Sequence, residues 1–281
     1  MSKVIAIGAL GGSGTRAVAQ VLIDAGIYMG DDLNQPNDNL IFTRLFVNPV
    51  FYKKASGASI VERLNIFSEY MQKDHLSIRH AIKLVQYASS NPLWKENRHL
   101  YKNIYTNAVQ KVLNKPIEKK IWGWKEPNTQ IYIEELTKYF ENLKYIHVVR
   151  HGLDMAFSSN KQQLKNWGFK YDLTLRGDES EDELAYHQLE YWVRSTKDAM
   201  SKAGRIGSNF LVLNHDEFCL DPEKQVDRMM DFIDIEIAKE RISQLYQIPK
   251  LSKTVGRYKK HDLGIFDDRQ IAYVKEMGFT I

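Results

Sequence analysis

The feature of the sequence that most constrains the fold is a glycine-rich segment between two apolar runs near the N-terminus. Residues 3–8 form a short, β-branched apolar run, which predicts a buried strand. The sequence GALGGSGTR occupies residues 8–16, and apolar side chains recur at helical spacing over residues 15–25. The pattern predicts a strand, a glycine loop and a helix in direct succession.

A second unit of the same kind begins at residues 143–149, which predict a buried strand, and a helix is predicted from Gly152 onward. Further strands are predicted at residues 121–124 and 210–213. Repeated strand-turn-helix units indicate an α/β fold with a mainly parallel central sheet flanked by helices. We expect one domain over residues 1–281.

The long stretch between the first two strands has a different character. Residues 60–115 are rich in Leu, Ile, Tyr and Lys, with few turn signals apart from the break at Asn91 and Pro92. This composition predicts several helices. We therefore expect a helical insert over about residues 60–115, which covers a bound ligand.

The glycine loop predicts an anion-binding site. Free backbone N–H groups and the positive end of the helix dipole converge where a strand passes through such a loop into a helix. Glycine lets the backbone approach an anion closely, and hydroxyl and guanidinium groups add donors. The residues expected to contact the anion are Gly11, Gly12, Ser13, Gly14, Thr15 and Arg16.

The sequence leaves open which anion the glycine loop binds. No Lys follows Gly14, so the group that reaches the β and γ phosphates of ATP in a P-loop ATPase is missing, and a nucleotide or sugar kinase ranks third. The glycine spacing does match one dinucleotide-binding variant. Asp31 or Asp32 then lies about 20 residues further on, where a ribose-binding acid is expected. An NAD(P)-dependent oxidoreductase is therefore the second hypothesis.

Two observations weigh against the oxidoreductase. A dehydrogenase with this glycine spacing usually carries a Tyr and a Lys four positions apart on one helix. The pair at that spacing here, Tyr246 and Lys250, has Pro249 inside it, which breaks a helix. Residues 27–30 are also a poor candidate for the second strand that would present the acid.

A second anion site is predicted at the end of the strand over residues 143–149. Arg150 lies at the carboxyl end of that strand, where open parallel sheets bind ligands. Ser158 lies eight positions later, which predicts a place about two turns into the following helix. A permanently charged, bidentate Arg with a hydroxyl donor across from it suits a phosphate.

Together these motifs resemble those of the sulfotransferases that use 3'-phosphoadenosine-5'-phosphosulfate (PAPS). The resemblance implies a P-loop-like sulfotransferase architecture of the bacterial or Golgi-type branch. It also implies that Ser13, Gly14 and Thr15 bind the 5'-phosphosulfate of the donor, and that Arg150 and Ser158 bind its 3'-phosphate. PAPS would be the co-substrate, and a hydroxyl or amine would accept the sulfuryl group.

The resemblance extends to scattered points along the chain and leaves residues 33–114 without a match. The sequence at residues 122–127 is similar to the strand-then-Lys-x-Pro segment of the family, and residues 210–218 resemble its strand-acid-helix segment. Residues 256–260 are similar to the late basic loop that closes over the donor. The resemblance therefore adds a last group of donor-binding residues, which are Arg257, Tyr258 and Lys259.

Catalytic roles follow from the same resemblance. Many cytosolic members place a Lys just before the Ser of the loop, whereas Gly12 stands there, so that role passes to Arg16 or Lys125. The segment that ends in Asp32 is similar to a Gly-Glu-Glu segment that supplies the general base in tyrosyl-protein members. Asp32 is thus the first choice for the base, followed by Glu126 and Asp38.

The composition limits the classes of binding partner that we expect. Lys and Arg number 39 against 35 Asp and Glu, an excess too small to predict nucleic-acid binding. No apolar run is long enough for a transmembrane segment, and the single Cys219 favours a reducing cytoplasm. The His and acidic residues show neither zinc nor calcium motifs, so no metal is predicted. The expected partner is a small-molecule, glycan or lipid acceptor, and a protein that binds the nucleotide without turning it over is a further alternative.

Overall fold

A computed structural model describes residues 2–93 and 102–281. Its four-stranded sheet is parallel throughout and has the order β2-β1-β3-β4. The strands are β1 (Lys3–Ala9), β2 (Ile121–Lys125), β3 (Leu143–Val149) and β4 (Phe210–Asn214). The predicted α/β fold with a parallel central sheet is confirmed.

Helices surround this sheet. A glycine loop after β1 leads into the first of them. In chain order they are α1 (Thr15–Asp24), α2 (Leu40–Phe46), α3 (Pro49–Lys54), α4 (Gly57–Lys73), α5 (Ile78–Ser89), α6 (Ile104–Leu113), α7 (Ile133–Tyr139), α8 (Gly152–Ala156), α9 (Gln162–Trp167), α10 (Glu181–Ile206), α11 (His215–Leu220), α12 (Pro222–Ile233), α13 (Lys239–Leu245) and α14 (Asp268–Glu276). Short 3-10 turns occur at Pro127–Tyr132, Gly168–Tyr171, Gly207–Asn209 and Arg257–Lys260.

Two apolar clusters cover the two faces of the sheet. The larger one contains Trp122 and Trp124 of β2 together with helices of the insert and α10. The smaller one packs α1 and α12 against Ile5 and Ile7 of β1. Both faces of β1 are therefore buried, as the continuous apolar sequence of a central parallel strand requires.

The helical character predicted for residues 60–115 is present on both sides of the undescribed segment 94–101. The helices of this region begin earlier than predicted, at Leu40 of α2, because Asn39 caps the helix by accepting a hydrogen bond from the Phe42 N–H. Part of the predicted insert, residues 94–101, lies outside the described residues.

Candidate donor and acceptor site

The carboxyl ends of the four strands meet at one edge of the sheet. Ala9 leads into the glycine loop, Lys125 ends β2, and Arg150 and His215 directly follow β3 and β4. Ligands of open parallel sheets bind at this edge, because the loops there are free of the packed helices. The topology thus brings together chain segments that are more than a hundred residues apart in sequence.

The glycine loop has two residues in the left-handed region, Gly12 with φ of 96° and Gly14 with φ of 82°. A Cβ on Gly14 would lie 1.9 Å from Cδ2 of His215, so glycine is required there for space as well as for conformation. Ser13 and Thr15 are buried beside it, and Arg16 is exposed on the first turn of α1. The predicted residues therefore form a continuous stretch, with Gly11 to Gly14 in the loop and Thr15 and Arg16 in the first turn of α1.

Arg150 reaches this loop directly. Its side chain is buried, Nη1 donates a hydrogen bond to the Gly12 carbonyl oxygen at 3.1 Å, and Nη2 donates to Thr254 Oγ1 at 2.7 Å. The third guanidinium nitrogen, Nε, is buried without a hydrogen-bond partner among the described residues. A buried, unpaired cationic donor beside a glycine loop is suited to an anion.

Ser158 lies close to the same loop, but the predicted helical position is wrong. Helix α8 ends at Ala156 after little more than one turn. Ser158 Oγ accepts a hydrogen bond from the Asn160 N–H at 3.3 Å, and such side-chain bonds compete with the helical ladder. Ser158 nevertheless faces the loop, since its Oγ lies 4.0 Å from the position of a Cβ on Gly12.

Arg257 lies near two other cations, Arg150 and Lys161. Burial, and then the nearby Arg257, lower the pKa of Lys161 to about 8. Burial also lowers the pKa of Arg150, and Arg257 contributes to that shift. Like charges held together in a partly buried place are relieved by a bound anion. Lys161 is a member of this cluster that the sequence analysis did not find.

The late basic loop is fastened to α8 next to Arg150. The carboxylate of Asp154 accepts hydrogen bonds from the Gly256 N–H at 2.9 Å and the Tyr258 N–H at 3.3 Å. Arg257 Nη1 donates to the Phe157 carbonyl oxygen at 3.4 Å, and Lys259 is exposed. Tyr258 is buried and its ring stacks on His151 with centroids 4.6 Å apart, so its side chain supports the loop from below.

A cleft of about 250 Å³ opens on the other side of the glycine loop, where Gly11, Asp38 and Glu126 line it. Glu126 is buried, and its two carboxylate oxygens accept from the Asn128 N–H at 2.6 Å and Asn128 Nδ2 at 2.9 Å. Burial raises the pKa of Glu126 to about 8, and the nearby Asp38 adds to the shift. This carboxyl can hold and release a proton near neutral pH.

The other predicted catalytic residues lie in two different places. Lys125 is buried at the end of β2, and its Nζ forms an ion pair with Asp38, which lines the cleft. The carboxylate of Asp32 instead forms an ion pair with the buried Arg44 and accepts from Asn107 Nδ2 at 2.6 Å. Asp32 is not among the residues that line the cleft.

Comparison with known proteins shows the family of the chain. A family model described as "Sulfotransferase family" matches residues 5–239. The chain belongs to the sulfotransferase family. Membership decides between the alternatives that the sequence left open and favours the sulfotransferase over the oxidoreductase and the kinase. No individually curated protein matches the sequence significantly.

Solved structures of other sulfotransferases are similar to this family member. The sulfotransferase domain from the curacin biosynthetic pathway has 12% identity and a TM-score of 0.51, with 100% of this chain and 98% of that chain covered. The sulfotransferase domain of the Synechococcus PCC 7002 olefin synthase has 13% identity and a TM-score of 0.46, with coverages of 100% and 96%. The first of these likenesses shows a shared fold.

The candidate site also contains residues that the sequence analysis missed. Gln163 Oε1 accepts from the Gly11 N–H at 2.8 Å, while its Nε2 donates to Asn128 Oδ1 at 3.0 Å. Trp167 Nε1 donates to the same Asn128 oxygen at 2.8 Å. These bonds link the glycine loop to the residue that holds Glu126. The only sequence signal is the amide-rich run at residues 160–166.

Over residues 2–93 and 102–281, no three or more His, Cys, Asp and Glu side chains are grouped so that they hold a metal ion. Within the same ranges, no helix has the length and apolar character needed to cross a bilayer.

Proposed function

We propose that the protein transfers a sulfuryl group from PAPS to a hydroxyl or amine of an acceptor. The observation that carries the proposal is the contact between Arg150 and Gly12, because it unites the two predicted anion sites in one place. The family membership supplies the reaction class. The acceptor side is the neighbouring cleft lined by Gly11 and Glu126.

The donor has two anionic ends, and the site offers a cationic or N–H-rich surface to each. The loop N–H groups, the hydroxyls of Ser13 and Thr15, and exposed Arg16 would hold the 5'-phosphosulfate. Arg150 and Ser158 would hold the 3'-phosphate. The buried Nε of Arg150 fits this role, since a phosphate oxygen would supply its missing acceptor.

The cations around Arg150 complete the 3'-phosphate site. Arg257 adds a positive charge close to Arg150, and Lys161 adds another close to Arg257, so both would lower the cost of binding a doubly charged phosphate. Lys259 lies exposed on the same loop, where it adds charge at the rim. Buried Tyr258 supports the loop by packing.

Chemically, the acceptor oxygen or nitrogen forms a bond to sulfur while the bond from sulfur to the 5'-phosphate oxygen breaks. Negative charge builds on the leaving phosphate, and Arg16 and Lys125 would stabilise it. Glu126 would take the acceptor proton, because it lines the cleft and its pKa lies near neutral pH. Asp38 would orient Lys125 through their ion pair.

Calorimetry tests the donor assignment. Adenosine 3',5'-bisphosphate, NADP and ATP are titrated separately into the protein, and the bisphosphate is expected to bind most tightly. Preferential binding of NADP or ATP would contradict the proposal. Release of the bisphosphate from PAPS only when an acceptor mixture is present then separates an enzyme from a nucleotide-binding protein.

A further inference from the structure

The wall of the cleft beside Glu126 has an unusual concentration of side-chain amides. Six of the lining residues are amides, and two more, Asp38 and Glu126, are acids. Among the described lining residues there is no aromatic ring, Lys or Arg. The amides are Asn34, Asn128, Asn160, Gln162, Gln163 and Asn166.

Three of these amides form an ordered row at the rim. Asn160 Oδ1 accepts from the Gln162 N–H at 3.1 Å, and Gln162 Nε2 donates to Asn166 Oδ1 at 2.9 Å. The row begins at the glycine loop, since Asn160 Nδ2 lies 3.1 Å from the position of a Cβ on Gly11. The amides are thus held in place by one another next to the proposed donor site.

The remaining polar atoms of the row include both hydrogen-bond donors and a hydrogen-bond acceptor. Asn160 Nδ2 and Asn166 Nδ2 are donors, and Gln162 Oε1 is an acceptor, and none of the three has a hydrogen-bond partner within the described residues. A hydroxyl group both donates and accepts, so alternating donors and acceptors of this kind match an array of hydroxyls. A carboxylate or sulfate ligand offers acceptors only.

The charges and apolar surfaces of the cleft also limit which class of acceptor can bind there. The described lining offers no Lys or Arg to an anionic ligand, and the ionised form of Glu126, which would act as the base, would repel one. Leu40, Val47 and Pro127 provide aliphatic surface, which suits the C–H face of a saturated ring. A planar phenol or a steroid carries few hydroxyl groups, so it would form fewer hydrogen bonds with the amide row than a sugar would.

We infer that the acceptor is a neutral, polyhydroxylated molecule, a sugar or glycan that presents a free hydroxyl to Glu126. This inference rests on the proposed function. The sugar oxygen forms the new bond to sulfur, the bond from sulfur to the 5'-phosphate oxygen breaks, and the sugar proton passes to Glu126. The products are a sugar sulfate ester and the adenosine bisphosphate.

The test compares acceptors of matched size on the intact protein. Arrayed neutral glycans, their glucuronic-acid-containing counterparts and 4-nitrophenol are offered with PAPS, and both bisphosphate release and product mass are measured. The inference expects the neutral glycans to bind the bisphosphate-loaded protein and at least one to be sulfated, with kcat/KM about tenfold or more above that of its acidic counterpart and of 4-nitrophenol.

Single-residue variants test whether the amide row recognises the acceptor. Gln162→Ala and Asn166→Ala are each expected to raise KM for the sulfated glycan about three- to tenfold, with bisphosphate affinity unchanged. Gln244→Ala, on exposed α13, is the matched amide control and is expected to change neither. An unchanged KM in both amide variants would contradict the inference.

The outcomes separate the two proposals. Tight bisphosphate binding with preferential sulfation of 4-nitrophenol or of acidic glycans would overturn the acceptor class and leave the proposed function standing. Failure of every arrayed neutral glycan to bind the bisphosphate-loaded protein would do the same. Absence of bisphosphate binding would overturn the proposed function itself.

Discussion

The Arg150 guanidinium donates a hydrogen bond to the Gly12 carbonyl oxygen across 3.1 Å, which joins residues that are 138 positions apart. Two strands that are neighbours in the sheet, β1 and β3, deliver these residues to the same edge. The glycine loop and the strand-end Arg are therefore parts of one site. Loss of the Arg150 guanidinium should therefore weaken the binding of a ligand held by this site.

Replacing Arg150 by Ala is expected to weaken binding of adenosine 3',5'-bisphosphate by about 2 to 5 kcal/mol, because a buried charge-assisted contact to phosphate is lost. Calorimetry measures the change. Thr254→Val is the control, since it removes one partner of Arg150 but keeps the guanidinium, and its effect is expected to stay below tenfold. Equal affinity of wild type and Arg150→Ala would refute the assignment.

Replacing Gly14 by Ala is expected to distort the loop, since the residue has φ of 82° and the new Cβ would meet His215. We expect a loss of about 1 to 3 kcal/mol in stability and at least a tenfold loss of bisphosphate affinity. Gly204→Ala, in α10 with open space around it, is the matched control. It is expected to be neutral or slightly stabilising in thermal unfolding.

Replacing Glu126 by Gln is expected to lower kcat by about a hundredfold or more, because the acceptor proton loses its base. Wild-type kcat/KM is expected to rise with pH up to the pKa of Glu126, about 8, since only the ionised carboxyl takes a proton. The variant should lose this ionisation from its pH profile. A wild-type profile without it would count against Glu126.

The raised pKa of Glu126 also predicts how the free energy of unfolding depends on pH. The folded protein retains the Glu126 proton up to about pH 8, whereas the unfolded chain releases it near 4.5. The folded state binds more protons between these values, so this group makes the free energy of unfolding fall as pH rises through that window. Denaturant unfolding from pH 5 to 8 is expected to show a steeper decline for wild type than for Glu126→Gln.

Asp32→Asn separates a structural carboxylate from a catalytic one. The buried Arg44 loses a charged partner, so we expect a destabilisation of about 3 kcal/mol or more. At a temperature where the variant remains folded, kcat per folded molecule is expected to stay within about threefold of wild type. A hundredfold loss of kcat in a fully folded variant would instead support Asp32 as the base.

Gln163→Ala tests a positioning role. Gln163 is the link between the Gly11 N–H and Asn128, which in turn holds Glu126. We expect KM for PAPS to rise about tenfold as the loop loosens, and the ionisation of Glu126 in the pH profile to shift as its Asn128 partner moves. A change in thermal stability with an unaltered pH profile would indicate only a packing role.

The sequence by itself determined the local elements and the family. Periodicity and glycine chemistry act between neighbouring residues, so the strand, loop and helix over residues 3–24 could be predicted without any structure. Arg150 was identifiable because the end of a buried strand is visible in the sequence. The predicted parallel sheet then placed both sites at one edge.

Only the tertiary structure decided which side chains meet. Asp32 and Glu126 are both acids near turns, and their sequence contexts do not reveal that one pairs with Arg44 while the other lines the cleft. Gln163 reaches Gly11 from 152 positions away. Such contacts depend on how distant helices pack on the sheet, and side-chain partners across that distance leave no periodic signal in the chain.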